Sequence, residues 1–310
     1  MIRRNLLVAL FLMLVLVPSG IALWRIDTTR HLMVRGPQAD YLRHLVPPAG
    51  MDAAYTALGF RLTDVRNGAP VPRVYFASVP GALPDLRSAA DRKGLFLATL
   101  LPLVLRVNEL IAADRAHLMA LKRRQDAGRP LAPLDRAWLA TLAQRYRLNN
   151  GDDGENGEHG ADIAALLHRV DTIPPSLALA QAAIESGWGT SHFARAGNAL
   201  FGEWVWGDNA RGIIPRGRPE GANYKVRSFD YLMQSVARYA SNLNRHRSYA
   251  DFRRRRAEQR AAGDTPDGLT LAETLSYYST RREAYVIELK SIIIANRLDV
   301  FDRAVLAPGA

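Results

Sequence analysis

From Asp85 to Gly128 the apolar residues follow a helical beat. Leu97, Leu100, Val104, Val107 and Ile111 recur at steps of three and four, and Leu110 widens the stripe. Such spacings place side chains on one face of a 3.6-residue helix. Pro102 interrupts the run, so a kink or a division into two helices is expected there. Gly128 ends it, and "PLDRAWLATLAQRYRL" predicts a second amphipathic helix. Upstream, "VPRVYFASVP", residues 71–80, is the strand-like run of this half, bounded by prolines. Residues 25–148 therefore read as a mostly helical N-terminal region.

"NNGDDGENGEHGAD", residues 149–162, is a Gly-rich acidic loop. Its acids lack the spacing and the closing Glu of a calcium loop, so it reads as a solvated linker. Beyond it, a short helix is expected from Ala161 to Val170. Pro174 and Pro175 stand where helices begin, and an Ala-rich helix from Ser176 to Ser186 is stopped by Gly187. "TSHFARAGN" predicts another turn or two behind a Thr-Ser cap. "LFGEWVWGDNARGIIPRGRPEGANYKVRSF" changes character: Gly, Pro, Trp and β-branched residues predict a β-hairpin or a pair of short strands with a long loop. Helix returns in "DYLMQSVARYASNLNRH", where Leu232, Val236, Tyr239 and Leu243 share a face, and "LAETLSYYSTRREAYVIELKSIIIANRL" predicts one or two more.

Composition narrows the function classes. The apolar fraction of the 310 residues is 48%, enough for a proper core, and the net charge of +11 points to anionic partners. There is no cysteine, which excludes disulfides, thiolate metal sites and a cysteine nucleophile. The start of the chain bears on where those partners are. Arg3 and Arg4 precede an unbroken apolar run from Leu6 to Val17, extended by Ile21 to Trp24. Residues 1–24 thus read as a signal peptide or an N-terminal inner-membrane anchor. The body of the protein is expected in the periplasm, which removes nucleic acid as a partner and favours a membrane surface or the cell wall.

One carboxylate stands out. Glu185 closes the apolar stretch "LALAQAAIES". On a helical wheel it lies about 80° from Leu177, at the edge of the buried stripe. It also falls in the last helical turn, where the helix dipole disfavours negative charge, so burial and dipole both push its pKa up. A carboxylic acid kept protonated near neutral pH can protonate a glycosidic leaving oxygen. A helix end meeting solvent is the competing structural reading.

The run "LALAQAAIESGWGTSHFARAGNALFGEW" resembles the glucosaminidase family of peptidoglycan hydrolases (glycoside hydrolase family 73-like). "NALFG" and "YKVRSFDYLMQSVARYASNLNRHRSYADFR" extend the resemblance over residues 161–300. "ADRKGLFLATLLPLVLRVNELI" is similar to the N-terminal region of its exported Bax-type branch in Gram-negative bacteria. The resemblance implies a mainly α (α+β), lysozyme-like domain at 163–305 with a small β-hairpin wall. It implies an endo-β-N-acetylglucosaminidase cutting the β-1,4 bond on the GlcNAc side of peptidoglycan glycan strands, without a cofactor or metal. Glu185 maps onto the family's general acid. A second carboxylate comes from the hairpin, here Glu220, with Glu203 and Asp208 as alternatives. Tyr249 matches a tyrosine placed near the scissile bond; packing under the Arg-rich segment is its structural alternative.

Trp188, Phe201, Trp204 and Trp206 offer flat apolar rings for sugar faces, although Phe201 suits the core better. Trp204 and Trp206 share one face of a strand. Asn198 is placed either to meet an acetamido group or to cap a helix end. "RHRSYADFRRRR" carries six arginines in twelve residues, either a patch for anionic polymer or membrane or a solvated helix face. Two other functions compete. A lytic transglycosylase would carry a Gly-Leu-Met-Gln-type signature where this chain has "NALFGEW", and a weakly active wall-binding scaffold would lack a complete set of carboxylates.

Overall fold

The computed structural model describes residues 59–148 and 162–308. The expected leader or anchor at 1–24 and nearly all of the acidic loop at 149–162 lie outside the described residues. The described chain is mainly helical with one small antiparallel sheet, as expected.

After a single turn of helix (α1, Leu62–Arg66), the first half is dominated by α2, Ala89–Asp126. The Ser88 side chain caps it by accepting from the Asp91 amide at 3.2 Å. Pro102 neither divides nor ends it. A proline inside a helix costs about 3 kcal/mol, but Leu95, Phe96, Leu100, Leu101, Leu103 and Val104 around it are all buried. At about 1.5–3 kcal/mol per large side chain, their burial outweighs that cost. The helix is long and apolar enough to cross a membrane, yet 72% of its most apolar window is buried within the protein. That burial makes it a core helix.

The strand expected over 71–80 does not form. Val71 makes an isolated parallel bridge with Leu306, its amide donating to Val305 O and its carbonyl accepting from Ala307 N, both at 2.8 Å. Pro72 and Pro80 have no amide hydrogen with which to continue a ladder.

Helix α3 (Pro133–Arg145) follows, and the second half opens with α4 (Ile163–Arg169), capped by Asp162, and α5 (Pro175–Ser186). α2 packs against α4 and α5 and against α7 (Leu232–Arg245), so one core draws on both halves of the chain. Asn108 of α2 secures the approach to α5, its side chain donating to Ile173 O at 2.7 Å and accepting from Ile173 N at 2.9 Å.

Between the short α6 (His192–Gly197) and α7 lie β1 (Trp204–Trp206), β2 (Gly212–Ile213) and β3 (Tyr224–Arg227). β3 is central and pairs antiparallel with both neighbours, with Trp204 opposite Val226 and Trp206 opposite Tyr224. The chain closes with α8 (Ala250–Ala261), α9 (Gly268–Ala272) and α10 (Glu283–Ala295).

The Arg-rich segment is divided by α8 into two faces. Arg254 and Arg255 face solvent, whereas Arg253 and Arg256 are buried. Arg256 donates to the carbonyls of His168, Arg169, Asp171 and Thr172, closing the C-terminus of α4. Part of the apparent cationic patch is therefore internal scaffolding.

Candidate active site

The last turn of α5 sets the geometry. Gly187 adopts the left-handed conformation (φ 57°, ψ 47°) and Trp188 N reaches back to Ala183 O at 2.9 Å. Ser186 Oγ donates to Ala182 O at 2.5 Å and accepts from Gly189 N at 2.8 Å. A Cβ on Gly189 would stand 2.9 Å from the Phe96 ring, so only glycine lets the turn lie against α2. Ser-Gly-Trp-Gly is thus a packed turn that ends the helix with Glu185 at its rim.

Glu185 is half-buried and lines a cavity of about 250 Å³. Burial pushes its pKa up, and the charge of Glu288 adds to that; a hydrogen bond with Tyr285 and the charge of Arg281 pull in the other direction without cancelling the rise. Around it the cavity wall is aromatic, formed by Phe201, Phe229, Tyr239, Tyr249 and Tyr278. Phe201 and Tyr239 stack with centroids 4.0 Å apart, and Tyr278 donates to Phe201 O at 3.4 Å. Tyr249 is buried with its pKa pushed up to about 12 by burial, against a hydrogen bond with Asn242, and the charge of Glu185 adds to the rise. Its phenol stays protonated at neutral pH.

Of the expected site residues, Glu185, Phe201, Trp204 and Tyr249 meet at this cavity. Trp204 and Trp206 do share the outer face of β1, 46% and 66% exposed, while Val205 points inward. Trp204 extends the cavity wall and packs edge-on against Tyr224 at 5.0 Å. Trp188 does not line the cavity: its ring meets Phe96 edge-on at 5.8 Å and lies under the Lys93 ammonium. Asn198 is also elsewhere, ending α6 in the left-handed conformation and donating to Phe229 O and Asp230 O, both at 3.2 Å.

The candidate second carboxylates separate clearly. Glu220 is exposed on a turn of the β2–β3 loop, and Asp208 is exposed between β1 and β2; neither lines the cavity. Glu203 does line it, but Arg238 grips both its oxygens at 2.7–3.0 Å and Arg227 lies 3.2 Å away. Among the described residues no group of three or more His, Asp and Glu side chains could hold a metal ion.

Sequence reasoning missed Tyr278, Tyr285 and Asn242, which come from segments remote from the Glu185 motif. Gln181 was visible as the lone amide in an apolar helix, one turn before Glu185, and is wholly buried.

A carboxylic acid with a raised pKa at the end of an aromatic groove, beside a small sheet, is the arrangement of a glycosidase. The family model described as mannosyl-glycoprotein endo-beta-N-acetylglucosaminidase matches residues 161–298. The chain belongs to this glucosaminidase family and is a glycoside hydrolase. Protein bax of Escherichia coli (strain K12) is 35% identical to it over 210 residues, covering 66% of this chain and 70% of that protein. Among solved structures, the catalytic domain of the autolysin Auto from Listeria monocytogenes is 17% identical, covering 58% of this chain and 96% of its own, with a TM-score of 0.30.

Proposed function

We propose that the protein is a peptidoglycan endo-β-N-acetylglucosaminidase, cutting the β-1,4 bond on the GlcNAc side, with Glu185 as general acid. The observation that carries this is the half-buried carboxyl of Glu185, pKa raised, facing an aromatic cavity at a helix end. Protonated, Glu185 delivers its proton to the glycosidic oxygen as the C–O bond breaks and its electron pair moves onto that oxygen, and the anomeric carbon takes the oxygen of a water that gives up a proton in turn. Tyr249 and Tyr278 form the wall beside it, and Trp204 and Trp206 extend an apolar platform on which sugar faces can lie. Glu203, with both oxygens held by Arg238, serves as a fixed strut of the wall and not as a base. Glu220 reaches substrate only if its loop folds over a bound glycan. Such a substrate places the protein in the periplasm, exported or held at the inner membrane by residues 1–24.

The test is digestion of purified peptidoglycan by the wild-type chain and by Glu185→Gln, with fragments read by mass spectrometry. GlcNAc reducing ends that vanish in the variant support the reading. Anhydro-MurNAc ends would make the protein a lytic transglycosylase, and wild-type digestion by Glu185→Gln would remove Glu185 from the acid's role.

A further inference from the structure

Away from the Glu185 cavity the chain builds a second one, of about 560 Å³. α1, the start of α2 and the end of α10 meet there, and none of its residues lines the Glu185 cavity. Along α10, Tyr285 stacks on the wall residue Tyr278, and Ala295 belongs to the second cavity. At 1.5 Å per residue the two places are about 15 Å apart.

Four cations, Arg61, Arg66, Lys93 and Arg297, line this cavity, and no carboxylate does. Arg66 Nη2 donates to Asn296 O at 3.1 Å and its guanidinium lies 5.2 Å over the Phe301 ring. The Lys93 ammonium lies 4.9 Å over the Trp188 ring. A carbonyl and aromatic rings carry no net charge, so these contacts fix the cations but do not neutralise them. Like charges gathered in one cleft focus a positive field that draws an anion. Arg297 adds a second sign. It stands just past α10 at φ 50°, in the left-handed region, with its amide donating to Ile294 O at 3.1 Å. Glycine fits such a helix end without penalty. The chain instead places there an arginine whose side chain, among the described residues, makes no hydrogen bond or ion pair.

We propose that this cavity binds the phosphate of an anionic phospholipid headgroup. Guanidinium groups offer paired N–H donors that match phosphate oxygens. Leu62 and Leu97, both buried, give the cavity an apolar floor, which suits the carbon skeleton of a headgroup and not a bare ion. Ile287 and Ile294, 67% and 61% exposed, share one face of α10, the helix whose end supplies Ala295. Cations beside exposed aliphatic side chains match a surface where headgroup phosphates border acyl chains. A headgroup held here docks the domain on a membrane without entering the Glu185 cavity.

The experiment follows thermal melting of the full chain in dodecyl maltoside micelles. Dihexanoyl phosphatidylglycerol, dihexanoyl phosphatidylcholine and inorganic phosphate are titrated separately at equal ionic strength. Phosphatidylglycerol is expected to raise the melting temperature by about 4 °C at a hundredfold excess over its Kd. Phosphatidylcholine, whose choline cancels the phosphate charge, leaves it unmoved. Lys93→Gln and Arg297→Gly each weaken binding by about tenfold, the size of a hydrogen bond between charged groups, which roughly halves the shift. Without lipid, Arg297→Gly melts no lower than wild type, since glycine relieves the left-handed strain. Arg254→Gln, on the exposed face of α8, keeps the full shift. Equal shifts from both lipids overturn the proposal by removing anion recognition, and an equal shift from inorganic phosphate overturns it by leaving a free-ion site. Loss of the shift in Arg254→Gln also overturns it, because binding then follows overall charge. Should Lys93→Gln fail to fold without its contact to Trp188, Arg297→Gly decides alone.

Discussion

Removing the charge of Asp171 should unfold the protein well before removing charges from its surface does. Asp171 stands between α4 and α5 with its side chain 3% exposed. Arg260 lies 3.0 Å from it, Arg115 3.7 Å and Arg256 3.8 Å. Burial alone would push its carboxyl up, but Arg256, Arg260 and Arg115 together hold it below the usual carboxylate range. Arg256 is 1% exposed, with its own pKa lowered to about 10 chiefly by burial. In Asp171→Asn the shape is kept and Thr172 N can still donate to the side-chain oxygen as it does at 2.8 Å. The three guanidiniums, however, lose the carboxylate they share. Stranding a buried charge in this way costs about 3–5 kcal/mol. With about 2.1 cal/mol/K of unfolding entropy per residue, a chain of 310 residues loses about 1.5 °C of melting temperature per kcal/mol, so the expected fall is roughly 5–8 °C. Calorimetry at neutral pH measures it, with Arg254→Gln as the control. Arg254 pairs with Asp251 and Glu258 on the exposed face of α8, and no measurable change is expected there. The sign with pH is also determined. A depressed folded pKa contributes stability that is present above the unfolded value, about 3.9, and is lost as pH falls through the folded one. The gap between wild type and Asp171→Asn should therefore be constant from neutral pH to about 5 and close at lower pH. A shift under about 2 °C at neutral pH, or a gap that persists in acid, would refute this account of the cluster.

Further outcomes follow from the site. Since the Glu185 pKa is raised mainly by burial, activity should persist above the ordinary carboxylate range and fall as pH rises through the raised value; a profile already falling near pH 4 would contradict a buried acid. Trp204→Ala and Trp206→Ala should raise KM on glycan strands by about tenfold each, the worth of partly burying an aromatic ring, with kcat little changed. Equal KM values would mean that the exposed face of β1 does not meet the glycan. Glu203→Gln should free Arg238 and raise KM, while Glu220→Gln stays within about twofold of wild type in steady-state kinetics; a collapse of kcat in Glu220→Gln would show that its loop closes over the substrate.

Local features carried much of the fold. The period of Leu97, Leu100, Val104, Val107 and Ile111 announced α2, and Pro175 and Gly187 marked the ends of α5, because helical spacing and capping act within a few residues of chain. The wheel position of Glu185 was enough to place it at a buried edge. Where local rules competed with packing, packing won. Pro102 breaks an isolated helix but not one buried along its length, and "VPRVYFASVP" had strand-like residues but prolines where a ladder needs amides.

The sequence by itself determined the helices, the small Trp-bearing sheet, the family and the buried-edge position of the Glu185 carboxyl. The tertiary structure alone decided which aromatics join that carboxyl. Tyr249, Tyr278 and Tyr285 come from after α7, and their approach to Glu185 depends on how α5, α7 and α10 pack together. It also decided that Trp188 and Asn198 brace the scaffold, that Arg253 and Arg256 of the arginine run turn inward, Arg256 toward Asp171, and that Gln181 links two tyrosines beneath the carboxyl. Hydrogen bonds and pKa shifts depend on distances of a few ångströms between residues up to about a hundred positions apart, and no spacing within one segment encodes those distances.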